Sequence, residues 1–186
     1  MTTLKTFVAL LGQVIIATAY AAEPADAPKS RGDACIIQFT ERTAALVARD
    51  WGQLARLAQR YLDTCKDIFG AEDYSEAYEH IAIAHLFLGN LEKALLACDQ
   101  CTNAFYPNSG CHLQRVEVYV GLKRLPDAKS ALERAERLIE HNIELRQRNL
   151  IDARSASDRE VAEARLRNLK SQKTHAAALR TRHIAE

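Results

Sequence analysis

Two kinds of apolar pattern follow one another along the chain. Between Phe7 and Ala19 the residues run almost unbroken (FVALLGQVIIATA), behind Lys5 and ahead of the small-x-small triplet Ala19-Tyr20-Ala21. That order reads as a secretory signal peptide over residues 1–21, with cleavage expected before Ala22, and the run is short for a membrane span. Residues 22–32 (AEPADAPKSRG) hold no core-forming side chain and read as a linker. From Asp33 onward apolar positions recur at spacings of three and four, the period of a half-buried helix. Cys35, Ile36, Phe39, Leu46 and Val47 mark one helix; after Asp50-Trp51-Gly52, Leu54, Leu57, Ala58, Tyr61 and Leu62 mark the next. Ile68 to Ser75 reads as a link, with Glu72-Asp73 in a turn as solvent-facing or helix-capping charges. From Ser75 comes a helix, a tight turn at Gly89-Asn90, a second helix and a stop at Pro107. A third pair runs from Cys111 to Leu122 and from Pro126 onward, proline being at home in the first turn. Its second helix overruns: Leu138, Ile139, Ile143, Leu145 and Leu150 continue the stripe and are expected to cover the exposed edge of the last pair. Beyond Arg154 apolar residues thin out to Val161, Leu166, Leu169, Leu179 and Ile184, as in a solvated helix or a disordered arm.

Composition narrows this to an all-α chain. Only 7 Gly and 4 Pro interrupt 186 residues, and the plentiful Ala, Leu, Arg and Glu favour helix over strand. The net charge of +1 conceals a division. Cys35 to Glu144 carries 12 Lys and Arg against 16 Asp and Glu, and Leu145 to Glu186 carries 10 against 5. A mildly acidic body therefore bears a basic tail.

The central pair carries a family resemblance. Tyr78, Ile81, Ala82 and His85 on its first helix, Gly89 in the turn, then Ala94, Cys98, Cys101 and Pro107 resemble the tetratricopeptide repeat (TPR), with His85 for an aromatic, Cys101 for the second alanine and the proline one place late. Ala128 follows Ala94 at the 34-residue period of that family, with Tyr119, Leu132 and Ala135 in register. The first pair is a divergent repeat. The resemblance implies a short right-handed α-solenoid of antiparallel helix pairs over residues 33–144, with a C-terminal helical extension over 145–186. It also implies a concave face lined by the first helix of each pair: Glu76, Glu79, His80, Ile83, Leu86 and Phe87, then Leu113, Gln114, Glu117 and Val120. An apolar strip with acidic neighbours suits a peptide with hydrophobic and basic residues. The alternative is that Ile83, Leu86 and Phe87 are buried by adjacent hairpins. The family's Lys/Arg clamp for an acidic C-terminus is absent from these positions.

Five cysteines in an exported chain imply disulfides and one remaining thiol. In an antiparallel pair, residues equidistant from the turn face each other. That criterion pairs Cys35 with Cys65 about the Trp51 turn and Cys101 with Cys111 about Tyr106-Pro107. Cys98 remains, expected as a small buried apolar side chain. A zinc site from Cys98, Cys101, Cys111 and His112 has suitable ligand types, but the adjacent Cys111 and His112 diverge by about 100° around a helix. Cys98-Asp99-Gln100-Cys101 has redox spacing but lies in mid-helix with an acid beside it.

Nothing resembles a phosphate loop, a nucleophile elbow or HExxH, so no enzyme, cofactor or small-molecule substrate is inferred. The expectation is a periplasmic or secreted interaction module for a protein or peptide partner. A basic tail that engages an anionic membrane or envelope polymer is the rival. The tail's lack of aromatic residues disfavours nucleic acid.

Overall fold

The computed structural model describes residues 30–65, 67–68 and 70–184, so the expected signal peptide and most of the linker lie outside the described residues. Among those residues all regular structure is helical. Helices α1 (Arg31–Ala48) and α2 (Trp51–Thr64) form one hairpin, α3 (Ala71–Phe87) and α4 (Leu91–Ala104) a second, α5 (Ser109–Gly121) and α6 (Leu125–Ile151) a third. Helix α7 (Ala156–Leu179) packs on α6 and α5 and ends in a π turn over Arg180–Ile184.

The three hairpin turns repeat one conformation, which sets the register of the array. Arg49, Gly89 and Lys123 have φ of 58°, 77° and 59°, the left-handed region that glycine occupies freely and other residues at a cost of about 1 kcal/mol. Each is followed by the residue that caps the next helix, Asp50, Asn90 or Arg124. Gly89 lies 40 residues after Arg49 and 34 before Lys123. Counted from these turns, Leu54, Ala94 and Ala128 are equivalent, as are Ala58, Cys98 and Leu132, and Tyr61, Cys101 and Ala135; none is more than 1% exposed. Ala82 and Ala94 are fully buried in one cluster with Tyr61, Leu62, Ile81 and Cys98, so helix axes approach through small side chains.

Three expectations are corrected. Glu72 and Asp73 lie not in a link but in the first turn of α3, which begins at Ala71; the helix-capping role holds for Asp73, whose Oδ2 accepts from Gly70 N at 3.1 Å, and acids suit a helix N-terminus. On α1 the apolar stripe is split. Cys35 is buried, but Ile36, Phe39 and Val47 face outward, and the inward row is completed by Arg42, with no exposed surface, and Ala45. Finally, the edge of the last pair is covered by α7, whose Ala176 and Leu179 join Leu113, Leu132 and Ile139 in one cluster. The position at which the basic tail was expected to begin, Leu145, falls inside α6.

Candidate functional site

Among the first helices of the hairpins α3 and α5 pack on each other, α1 reaches α3 through the Arg42–Glu76 pair, and α7 continues the row beyond α5. Asn108 caps α5, its side chain accepting from Cys111 N at 3.3 Å. Its amide nitrogen turns back to α3, donating to Ser75 Oγ at 2.9 Å and to Glu79 Oε2 at 3.2 Å. Glu79 is thereby held against the first turn of α5, where Gly110 leaves room for its carboxyl group. Burial, with Glu76 nearby, pushes the Glu79 carboxyl up to about 7.

Across from it, Arg42 reaches from α1 and donates through Nη2 to Glu76 Oε1 at 3.1 Å. Its guanidinium lies 5.0 Å from the Phe39 ring centroid and 4.7 Å from that of Tyr61, an arrangement that stabilises a poorly hydrated cation. Burial lowers the Arg42 pKa and raises that of Glu76, each partly offset by the other. His80 is buried beneath, and burial with the Arg42 charge holds its ring neutral down to about 3.

The expected site residues separate into two groups. His80, Leu86, Leu113 and Gln114 are buried; Glu76, Glu79, Ile83, Phe87, Glu117 and Val120 keep part of their surface. Ile83 packs on the first hairpin, and the Phe87 ring stacks on Trp51 with centroids 4.3 Å apart. Leu113 and Val120 contribute to the cluster under α7. Glu117 Oε1 lies 2.8 Å from His175 Nε2, and Ser109 Oγ donates to Gln172 at 2.6 Å. At the start of α3, Glu72 faces Arg165 at 3.5 Å and Arg146 at 3.7 Å. The tail helix thus covers the α5 part of the face, while no described residue covers the outward side of α1. Sequence reading passed over Arg42, whose only signal is a charge inside an apolar stripe.

The cysteines come together as Cys35 with Cys65 and Cys101 with Cys111, at disulfide distance, with Cα separations of 5.8 and 6.0 Å. Cys98 is buried alone, its thiol pushed up to about 12 by burial. Among the described residues no three His, Cys, Asp or Glu side chains are grouped to hold a metal. His112 is buried against the edge of Tyr106, with ring centroids 5.5 Å apart, and burial lowers its pKa to about 4.

No family model matches the chain, and no curated protein matches it. Its architecture, however, is similar to the solved Arabidopsis OM64 TPR domain: TM-score 0.51 at 19% identity, over 75% of this chain and 98% of that one. The fold is TPR-like. In a fold of this kind helix pairs stack so that their first helices stand in a row. Here that row is α1, α3, α5 and α7.

Proposed function

We propose that the chain is an exported TPR-like adaptor that holds a segment of another envelope or secreted protein along the open face of α1 and α3. The observation that carries this reading is the face itself. Glu76, Glu79, Ile83 and Phe87 keep solvent access in one row next to α1. Two depressions, one between α6 and α7 and one between α1 and α2, include none of these four residues. An open ledge of this shape suits a polypeptide better than a small molecule.

Export is supported by the N-terminal pattern and by four cysteines placed in two pairs. In the mature protein these pairs form disulfides that staple the first hairpin and the junction of α4 with α5. The adaptor reading ranks above binding of an anionic surface through the tail, because Arg165, Lys173 and Arg180 face Glu72, Glu140 and Glu136 of the array. Charge used within the molecule is not available to a polyanion.

A photo-crosslinking amino acid at residue 83, in the exported protein in its native envelope, tests the reading. One partner should crosslink there and not from a position on the convex side such as Gln100. Equal labelling from both positions, or none from residue 83, would dispose of the groove.

A further inference from the structure

We infer that the outward face of α1 is the anchor of this site, and that its ligand is an amphipathic helical segment with a row of apolar side chains and one cationic side chain beside it. The inference rests on the adaptor reading and adds the chemistry of the partner.

Ile36 is 58% exposed, Phe39 37% and Val47 64%. Between them stand Thr40 and Thr43, whose hydroxyls are turned back onto the helix, donating to the carbonyls of Ile36 and Phe39 at 3.0 Å each. A threonine so bonded has its hydrogen-bonding capacity engaged by its own helix and offers its methyl group to a neighbour. Positions 36, 39, 40, 43 and 47 share one face and form an apolar row about 16 Å long. Counted from the hairpin turns at Arg49 and Gly89, the same positions of α3 are Glu76, Glu79, His80, Ile83 and Phe87. On α5 the equivalent row is covered by α7, through Leu113 and Glu117. On α1 nothing among the described residues covers it, and contiguous exposed apolar rows of this kind mark docking sites. Spacing by three and four matches the side chains of a partner helix laid along the row.

The polar flank sets the sign of the ligand's charge. Behind Phe39 lies Arg42, and beyond Arg42 lie Glu76 and Glu79 of α3. Arg42 is ion-paired to Glu76, whereas Glu79 accepts from the neutral amide of Asn108. Burial raises the pKa of both carboxylates, and with Glu72 and Asp73 beside them and Arg42 and Arg165 as the opposing charges, this flank keeps an excess of negative charge. A lysine or arginine from the ligand would meet it; an acidic side chain would deepen it.

The probes are three synthetic 14-residue helical peptides, titrated by fluorescence anisotropy into the mature chain at pH 7.5. The first carries leucines at spacings of three and four and one lysine. The second has the lysine replaced by glutamate. The third has the leucines replaced by alanine. The lysine peptide should bind, with affinity lowered at least about tenfold for each of the other two and for the Val47→Asp and Ile36→Asp variants. Both substitutions are at solvent-exposed positions, and Val47→Leu should bind as the parent does. Equal binding of the glutamate peptide, no effect of Val47→Asp, or no binding of the lysine peptide would overturn the inference. So would a doubled mass in sedimentation that Val47→Asp abolishes, since the occupant would then be a second copy. If crosslinks from residue 83 capture a partner while α1 variants leave that capture intact, this inference falls and the adaptor reading stands.

Discussion

Arg42, fully enclosed on α1, is tied to α3 through Glu76, its Nη2 donating to Oε1 at 3.1 Å. In the TPR register it stands where the next repeat has Ala82, so the first hairpin meets the second through a charged strut where small side chains suffice elsewhere. Removing one member of a buried pair leaves the other uncompensated, whereas an apolar isostere of the buried member often fits. Glu76→Gln should therefore destabilise the protein more than Arg42→Met. Since the Glu76 side chain is 39% exposed, the Gln variant should lose about 1–3 kcal/mol and the Met variant less than about 1. Urea denaturation at pH 7 gives both values, and a larger loss in Arg42→Met would mean that the strut, and not its charge balance, is what matters.

Gly110 illustrates a tolerance set by one neighbour. A Cβ there would overlap the Glu79 carboxyl group. In Gly110→Ala, Glu79 has to leave its bond to Asn108, at about 1–2 kcal/mol. In a Glu79→Ala background the same change should cost nothing or stabilise the helix, since alanine is the better helix former. A double-mutant cycle measures this coupling, and additive losses would show that the two residues do not press on each other.

What was legible in the sequence was local. Gly89, Pro107, Pro126 and the spacing of Ala94 from Ala128 are signals within a single hairpin or its immediate neighbour, and they placed the second and third helix pairs. The orientation of α1 was not legible. An apolar stripe interrupted by Arg42 has two candidate faces, and the choice depends on Glu76, which reaches it only once α3 is stacked. The docking of α7 was equally hidden, because Arg165 with Glu72 and His175 with Glu117 join distant parts of the chain. A sparse apolar pattern gives no hint of such pairs. Phe87 shows the same limit: it keeps part of its surface in the row and also stacks on Trp51, a ring that only the packing of the first hairpin brings to it.

That stack is itself testable. Trp51 begins α2 and Phe87 ends α3, so the two rings, inclined by 12°, clamp the first hairpin to the second. Phe87→Ala should cost about 2 kcal/mol, and Phe87→Leu less, because the apolar area largely remains while the ring contact is lost. If Phe87→Ala leaves the thermal midpoint unchanged, the clamp is ornamental and Phe87 returns to the list of partner contacts.

Glu79 makes stability depend on pH. Its carboxyl is raised from the ordinary 4.5 to about 7, so the folded chain binds that proton more tightly than the unfolded chain. Its contribution is complete below about pH 4.5 and is lost as pH rises towards 7. His80 acts in the opposite sense. Held neutral down to about 3 against an ordinary 6.5, it leaves the unfolded chain to take up a proton as pH falls, which lowers stability on the acid side. Glu79→Gln should remove only the first effect: between pH 5 and 7 the parent should lose about 1–2 kcal/mol relative to the variant, allowing for the solvent access Glu79 keeps. Parallel pH profiles would mean that Glu79 is ionised throughout.

The cysteines give the last prediction. Closing the 30-residue span from Cys35 to Cys65 and the 10-residue span from Cys101 to Cys111 restricts the unfolded chain. By loop entropy this contributes about 3–4 and about 2–3 kcal/mol respectively. The first staples the open end of the divergent hairpin, so Cys35→Ser with Cys65→Ser should cost more than the corresponding change at Cys101 and Cys111. Cys98 differs in kind: without exposed surface and with its thiol at about 12, it has almost no thiolate at pH 8. Iodoacetamide should therefore leave the native protein unlabelled and add a single carbamidomethyl group, at Cys98, once urea unfolds it without reductant. Labelling of more than one cysteine in that experiment would show that the pairs are not closed in the protein as isolated.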